Sequence, residues 1–322
     1  MNVALCPGRF LGRSGVACLR TIRGDRLVNI CAHMLLAALL VLPTLAATAA
    51  EEPEILPLWL DGAPAAKNPD EVRPRISLYL PERGEGSSAA VLICPGGGYG
   101  HLALGHEGKQ IANWLNEMGI AGVVLEYRNS EGGYRHPVPL MDAQRAMRIL
   151  RARSEDFGLD PKRIGIMGFS AGGHLASTVG VAESGGDPDS SDLVERAGSR
   201  PDFMILCYPV IAFGEEFTHR GSQRNLIGEN PPEQLVKLLS SEKQVDENTP
   251  PTFLFHTDAD TAVPAENSVA FYLALRKAGV PAELHIYRNG GHGLGLASGV
   301  DGTRDWPRAC ENWLRSLGIV ED

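Results

Sequence analysis

The chain has 322 residues, is 43% hydrophobic and 21% charged, and carries a formal net charge of −9, a composition that builds a sizeable core and excludes long disorder. Five arginines against one aspartate make the first 50 residues +4, which leaves −13 for the remainder. An acidic body repels phosphate backbones, so nucleic acid is excluded as a partner and a neutral substrate is favoured over a polyanion.

Residues 34–45 (MLLAALLVLPTL) form an apolar run, preceded by arginines and followed by the small residues AATAA at 46–50. Basic region, apolar region and small-residue cleavage site in that order predict a secretory signal peptide, cut near Ala49 or Ala50. The basic region is long, so either the true start lies downstream or the leader is extended. The alternative is a retained membrane anchor, but the apolar run is too short to span a bilayer comfortably and the alanines suit a cleavage site. The expectation is an exported protein, periplasmic or secreted, with no stable membrane anchor after cleavage. About 270 residues then remain, which fits one large α/β domain over 51–322. Cys6, Cys18 and Cys31 leave with the leader, and Cys94, Cys207 and Cys310 stay. Cys94 and Cys207 fall in predicted strands and read as small core residues. Export permits one disulfide without demanding it, and no pair has zinc-like spacing.

Residues 51–70, rich in Pro, Ala and acidic groups, read as an irregular lead-in. A strand is predicted at 76–80, and the short apolar run at 90–93, ending at Pro95 and three glycines, reads as a buried strand. Ile111, Leu115 and Met118 have helical spacing, and Gly119 can close that helix. A strand follows at 121–126. A long helix carries Met141, Arg145 and Arg148 to about Arg153, with Ala143, Ala146 and Ile149 on an apolar side. The next strand, 163–167, breaks at Gly168, and 170–181 reads as a buried helix. Further strands are predicted at 203–207, 252–256 and 283–287, with helices at 267–278, closed by Gly279, and at 305–317. Strands alternating with helices predict a mainly parallel sheet covered on both faces. The polar stretch 214–249 is too long for a simple crossover. It is expected to hold a short helix at 234–240 and to lie over the sheet edge as a small cap.

Gly168-Phe169-Ser170-Ala171-Gly172 follows a strand and opens a helix, the context that a G-x-S-x-G nucleophile elbow requires. The serine must sit on a tight turn with Oγ raised above the sheet. Residues two before and two after it come close together, so side chains there would clash. The following helix points its N-terminus at the serine and favours negative charge there. Serine needs a base, and on this fold the order is Ser, then Asp or Glu, then His. His292 lies between glycines in 289–293 (NGGHG), directly after the last strand, and is the predicted base. His256 and His285 lie within predicted strands and read as core or surface residues, and His174 as packing or support on the elbow helix. The acid should follow the strand at 252–256, where the loop offers both Asp258 and Asp260. A developing oxyanion needs donors. The amide of Ala171 is one, and the glycine loop 94–99 (CPGGGY) supplies Gly97 and Gly98. Tyr99 reads equally as lining an acyl pocket or as packing.

PGGGY (95–99), HEG (106–108), LEYR (125–128), GFSAGGHLA (168–176), HTDADTAVP (256–264) and GGHGLGL (290–296) occur in the order found in a known group of proteins. On these motifs the chain resembles the α/β-hydrolase esterases grouped with acetylxylan and feruloyl esterases, which are related to the hormone-sensitive-lipase-like enzymes. The resemblance implies an α/β-hydrolase fold. It implies that the aspartate of D-x-x-V-P, here Asp260, is the triad acid, with Asp258 a loop residue. It also implies removal of acetyl or similar small acyl groups from plant polysaccharides or other sugars, without a metal or organic cofactor. The lipase-like branch has a histidine where this chain has Pro95, a departure that favours the carbohydrate-esterase side. Relatives carry xylanase names, but a glycosidase needs two carboxylates flanking a sugar cleft, and the pattern here is that of acyl transfer. Two other functions compete. A serine peptidase of the prolyl-oligopeptidase type shares fold and triad but carries a large extra domain. A non-catalytic binding protein with the same fold would have no need of Ser170, Asp260 and His292.

Overall fold

The computed structural model describes residues 52–67, 73–82, 88–182 and 185–320. The expected signal peptide at 1–50 lies outside them. Eight strands are described: β1 (Glu54–Pro57), β2 (Arg75–Tyr79), β3 (Ser88–Cys94), β4 (Ala121–Glu126), β5 (Leu159–Phe169), β6 (Met204–Cys207), β7 (Thr252–Thr257) and β8 (Ala282–Tyr287). The helices are α1 (Gln110–Glu117), α2 (Val138–Ala152), α3 (Ser154–Phe157), α4 (Ala171–Val181), α5 (Arg220–Ile227), α6 (Glu233–Leu238), α7 (Glu266–Ala278) and α8 (Trp306–Ser316). A π-helical turn, Gly105–Lys109, leads into α1.

The strands form one sheet in the order β1-β2-β4-β3-β5-β6-β7-β8. β2 runs antiparallel to both β1 and β4, and every other neighbouring pair is parallel. Parallel strands are buried on both faces, which is why β3 reads as an unbroken apolar run. Its alternate residues serve two cores. Ala90, Leu92 and Cys94 pack with Ala146 and Met147 of α2, Leu175 and Val179 of α4 and Phe271 of α7. Ala89, Val91 and Ile93 pack with Ile111 and Leu115 of α1 and Trp306 and Trp313 of α8. Each fully buried aliphatic side chain contributes roughly 1.5–3 kcal/mol of transfer free energy. Among the described residues all three cysteines are buried and free, and burial pushes the Cys94 thiol well above its ordinary range.

The chain order reverses between β3 and β5. From β3 it crosses to β4 on one side, and from β5 it proceeds through β6, β7 and β8 on the other. Loops leaving two such neighbours diverge and open a crevice at the carboxyl ends of the strands, where ligands bind in open α/β sheets. The glycine loop follows β3 and the Ser170 turn follows β5, so both predicted site segments meet at this point.

Two elements differ from the sequence expectation. The lead-in contains the edge strand β1, whose residues are exposed or half-buried; main-chain pairing with β2 forms it, so no burial pattern announces it. The stretch 214–249 holds α5 as well as the expected short helix. It packs over the middle of the sheet rather than its edge. Asn225 donates to Gly98 O after β3, and Leu239 O and Ser241 Oγ meet His174 and Ser177 of α4.

Candidate active site

β5 ends at Phe169, and Ser170 takes φ 53° and ψ −119° before α4 begins. A side chain in that conformation is strained by about 1–3 kcal/mol, and neighbouring backbone holds it there. Ser170 N–H donates to Cys207 O at 3.1 Å, and Ser170 O accepts from Val210 N–H at 3.0 Å. The glycines of the turn are required by close approach. A methyl group at Gly168 would lie 2.2 Å from Gly172 O, and one at Gly172 would lie 2.0 Å from Cys94 O.

His292 reaches Ser170 from the loop after β8. Its Nε2 is 2.7 Å from Ser170 Oγ, and its Nδ1 is 2.6 Å from Asp260 Oδ2. The carboxylate accepts, so Nδ1–H donates to it, which leaves the Nε2 lone pair to accept from the serine hydroxyl. The other oxygen, Asp260 Oδ1, accepts from the amides of Ala262 and Val263 at 3.0 and 2.9 Å. Burial opposes ionisation of Asp260. The hydrogen-bonding influence of His256 and His292 and the Val263 amide outweighs it and holds the carboxyl below its ordinary range. Asp258 is exposed, and its amide donates to Tyr287 O. The structure thus brings together Ser170, His292 and Asp260 and leaves Asp258 outside.

The glycine loop lies against the elbow: a methyl at Gly96 would stand 2.9 Å from Ser170 Cβ. Every carbonyl from Pro95 to Tyr99 already has a donor. Tyr127 Oη donates to Pro95 O, Ala103 N–H to Gly96 O, and Gly100 N–H to Gly97 O. Asn225 Nδ2 donates to Gly98 O and Ser130 N–H to Tyr99 O. The peptide planes are therefore fixed. Among the described residues the amides of Gly97, Gly98 and Ala171 donate to no protein acceptor. Gly97 at φ 129° and Gly98 at φ 62° occupy backbone conformations that a side chain would resist.

Tyr99 does not line a pocket. Its own φ of 58° turns the ring inward, where it is buried and its hydroxyl bonds His174 Nδ1 at 2.8 Å. His174 Nε2–H donates to Leu239 O at 2.7 Å, so Nδ1 is the acceptor, and the ring stacks on Phe213. Burial lowers the His174 imidazole to about 4. His256 is buried between Ser268 and Val263 O, and His285 pairs with Glu283 beside Phe253 and Tyr287.

Four residues near the site went unassigned in the sequence reading. Glu107, inside the quoted HEG motif, is buried and accepts from Gly96 N–H at 2.8 Å. Tyr208 donates its hydroxyl to the same carboxylate at 2.8 Å and meets the His292 ring edge-on at 5.2 Å. Asn225 holds Gly98, as above. His219 caps α5 through Nδ1, which accepts from Ser222 N–H, and its ring faces Gly98. Burial first, then nearby His292, lowers the His219 imidazole.

Comparison with known proteins bears on the family and the fold. The BD-FAE family model matches residues 76–275, which include Ser170 and Asp260. The acetylxylan esterase of Xylanibacter ruminicola is 33% identical over 252 residues, 77% of this chain and 49% of that protein. Endo-1,4-beta-xylanase B of Butyrivibrio fibrisolvens is 38% identical over 210 residues, 65% of this chain and 33% of its own length. The chain therefore spans half or less of each of these curated relatives. The crystal structure of the acetyl ester-xyloside bifunctional hydrolase from Caldicellulosiruptor lactoaceticus superposes with a TM-score of 0.81 at 44% identity, covering 85% of this chain and 100% of that one. Since the family model takes in most of the sheet together with the elbow and the loop of Asp260, the chain belongs to the BD-FAE family and has an α/β-hydrolase fold.

Proposed function

We propose that this chain is an exported serine carboxylic ester hydrolase that removes acetyl or another small acyl group from carbohydrate. The observation that carries the reading is the continuous hydrogen-bonded line from Ser170 Oγ through His292 to Asp260, at 2.7 and 2.6 Å. Ser170 Oγ attacks the ester carbonyl while His292 Nε2 takes its proton. Asp260 keeps Nδ1–H in place and stabilises the imidazolium. The amides of Ala171, Gly97 and Gly98 meet the developing oxyanion, where one such donor is worth roughly 100–1,000-fold in turnover. His292 then returns the proton to the leaving alcohol. Water, deprotonated by the same nitrogen, releases the acid from the acyl-enzyme.

The sugar assignment is supported by the names of the relatives and by the acidic body, which disfavours polyanionic substrates. The match to the xylanase spans 33% of that protein, and acyl transfer does not use the paired carboxylates of glycoside hydrolysis. Export rests on the residue pattern at 34–50. Sequencing the N-terminus of the protein from its native host tests it, and a mature chain still carrying Met34 overturns it.

A panel of acetyl, butyryl and feruloyl esters beside acetylated xylan and aminoacyl anilides tests the activity. Ester turnover and fluorophosphonate labelling are expected, and Ser170→Ala abolishes both while the protein stays folded. Cleavage of anilides alone points to a peptidase. A folded wild type that neither labels nor turns over points to a binding protein.

A further inference from the structure

Glu107 is a carboxylate buried against the site that takes no part in the proton transfer just described. The π-helical turn Gly105–Lys109 turns it inward from the start of α1. Single π turns of this kind recur at functional sites. Its two oxygens are divided between the two halves of the site. Oε2 accepts from Gly96 N–H at 2.8 Å, on the loop that carries Gly97 and Gly98. Oε1 accepts from Tyr208 Oη–H at 2.8 Å, and that same hydroxyl accepts from Gly295 N–H at 2.8 Å. Gly295 lies three residues beyond His292, and the Tyr208 ring meets the His292 ring edge-on. The turn also touches the histidine loop directly, since a methyl at Gly295 would stand 2.7 Å from His106 O. A methyl at Gly96 would stand 2.7 Å from Glu107 Oε2 and 2.9 Å from Ser170 Cβ, so the carboxylate, the glycine loop and the elbow crowd at one point.

Resting on the esterase reading, we propose that Glu107 is a positioning residue that holds the oxyanion loop and the His292 loop in one register. A carboxylate suits the task because, unlike an amide, it can present both of its oxygens as acceptors, as it does here to Gly96 N–H and Tyr208 Oη–H. Both Gly96 N–H and the Tyr208 hydroxyl proton must point at it, and that orientation frees the tyrosine lone pairs for Gly295. A glutamine of the same shape offers one acceptor and one donor: its oxygen keeps Gly96 N–H, its NH2 faces the Tyr208 oxygen, and the tyrosine proton loses its acceptor and turns away, which disturbs the arm that holds Gly295. Aspartate, shorter by one methylene, cannot span both. Displacement of a catalytic group by about 1 Å costs on the order of 100-fold, and productive geometry tolerates about 0.5 Å.

The test uses Glu107→Gln, Tyr208→Phe and the double variant, with kcat and KM on p-nitrophenyl acetate and a crystal structure of each single variant. Glu107→Gln is expected to lower kcat about 10- to 100-fold with KM within about threefold of wild type, the pattern of a loss felt in the transition state. The double variant should lose little more than the worse single one, because the two residues act as one unit. Loops 96–98 and 290–296 should be displaced by more than about 0.5 Å. A folded Glu107→Gln with unmoved loops overturns the proposal, as does wild-type kcat or a double variant whose losses multiply. Should Glu107→Gln fail to fold, Tyr208→Phe decides alone by the same readings. Absence of ester turnover in the wild type rejects the esterase reading instead, and the crystallographic comparison still decides the role of Glu107.

Discussion

Replacing Asp260 by asparagine tests the relay with almost no change of shape, and the surrounding bonds dictate how the new side chain must sit. Asp260 Oδ1 accepts from two backbone amides, those of Ala262 and Val263. An asparagine NH2 cannot face two N–H donors, so its oxygen is forced into that position and its NH2 is turned toward His292 Nδ1, 2.6 Å away in the native arrangement. The ring must then present a lone pair at Nδ1 and carry its proton on Nε2. That nitrogen can no longer accept from Ser170 Oγ. The loss is that of a wrong tautomer in an otherwise intact site, roughly 1,000- to 10,000-fold in kcat, or about 4–5.5 kcal/mol of transition-state stabilisation. Steady-state hydrolysis of p-nitrophenyl acetate at neutral pH, with the rate of fluorophosphonate labelling as a second reading, measures it. KM should change little, because this carboxylate is buried on the side of His292 away from Ser170. A folded Asp260→Asn enzyme within tenfold of wild-type kcat would refute the reasoning, since neither the two-amide lock nor the tautomer argument survives that result.

Acid sensitivity should trace in part to His174. Its buried ring takes a proton only near pH 4, whereas the unfolded chain takes one near 6.5. Protonation of the unfolded state therefore drains stability as pH falls through that window, by about 3 kcal/mol, and the contribution is fully present above it. Urea unfolding at pH 7 and 4.5 should show a steeper decline for wild type than for His174→Gln, and equal declines contradict the assignment. Asp260 adds its own loss only below its ordinary value of 3.8, because its folded carboxyl is held lower still. Gly172→Ala places a methyl 2.0 Å from Cys94 O and 2.5 Å from Pro95 O, so the glycine loop must move off the elbow. It should lower kcat at least about tenfold through misplaced donors. Gly299→Ala, with nothing within 4 Å of the added methyl, serves as the control, and equal activity of the two variants sinks the packing argument.

What was legible in the chain follows from which force forms each part. β3 and β4 are buried on both faces and declare themselves as apolar runs. Gly168 and Gly172 declare the elbow because backbone passes where side chains would be. The choice between Asp258 and Asp260 was not local: both sit in one loop, and burial against His256 and His292 separates them. β1 escaped because main-chain pairing forms it. α5 escaped because only Ser222 and Leu226 of its residues are buried, too few to make a period. Glu107 precedes an amphipathic helix, where a charge reads as solvent-facing; the π turn rotates it inward. Tyr99 offered two readings of equal weight, and its positive φ decides for the core.

The bond from Asn225 to Gly98 O has a consequence for how this scaffold changes. Gly98 is steadied from outside the sheet, by the stretch between β6 and β7, and such surface excursions are where α/β folds diversify. Any reshaping of that stretch to admit a bulkier acid therefore disturbs the very peptide that greets the negative charge. Breadth of substrate choice and speed of turnover are coupled through one amide side chain. A grafted replacement must bring its own donor to that carbonyl or accept a slower enzyme.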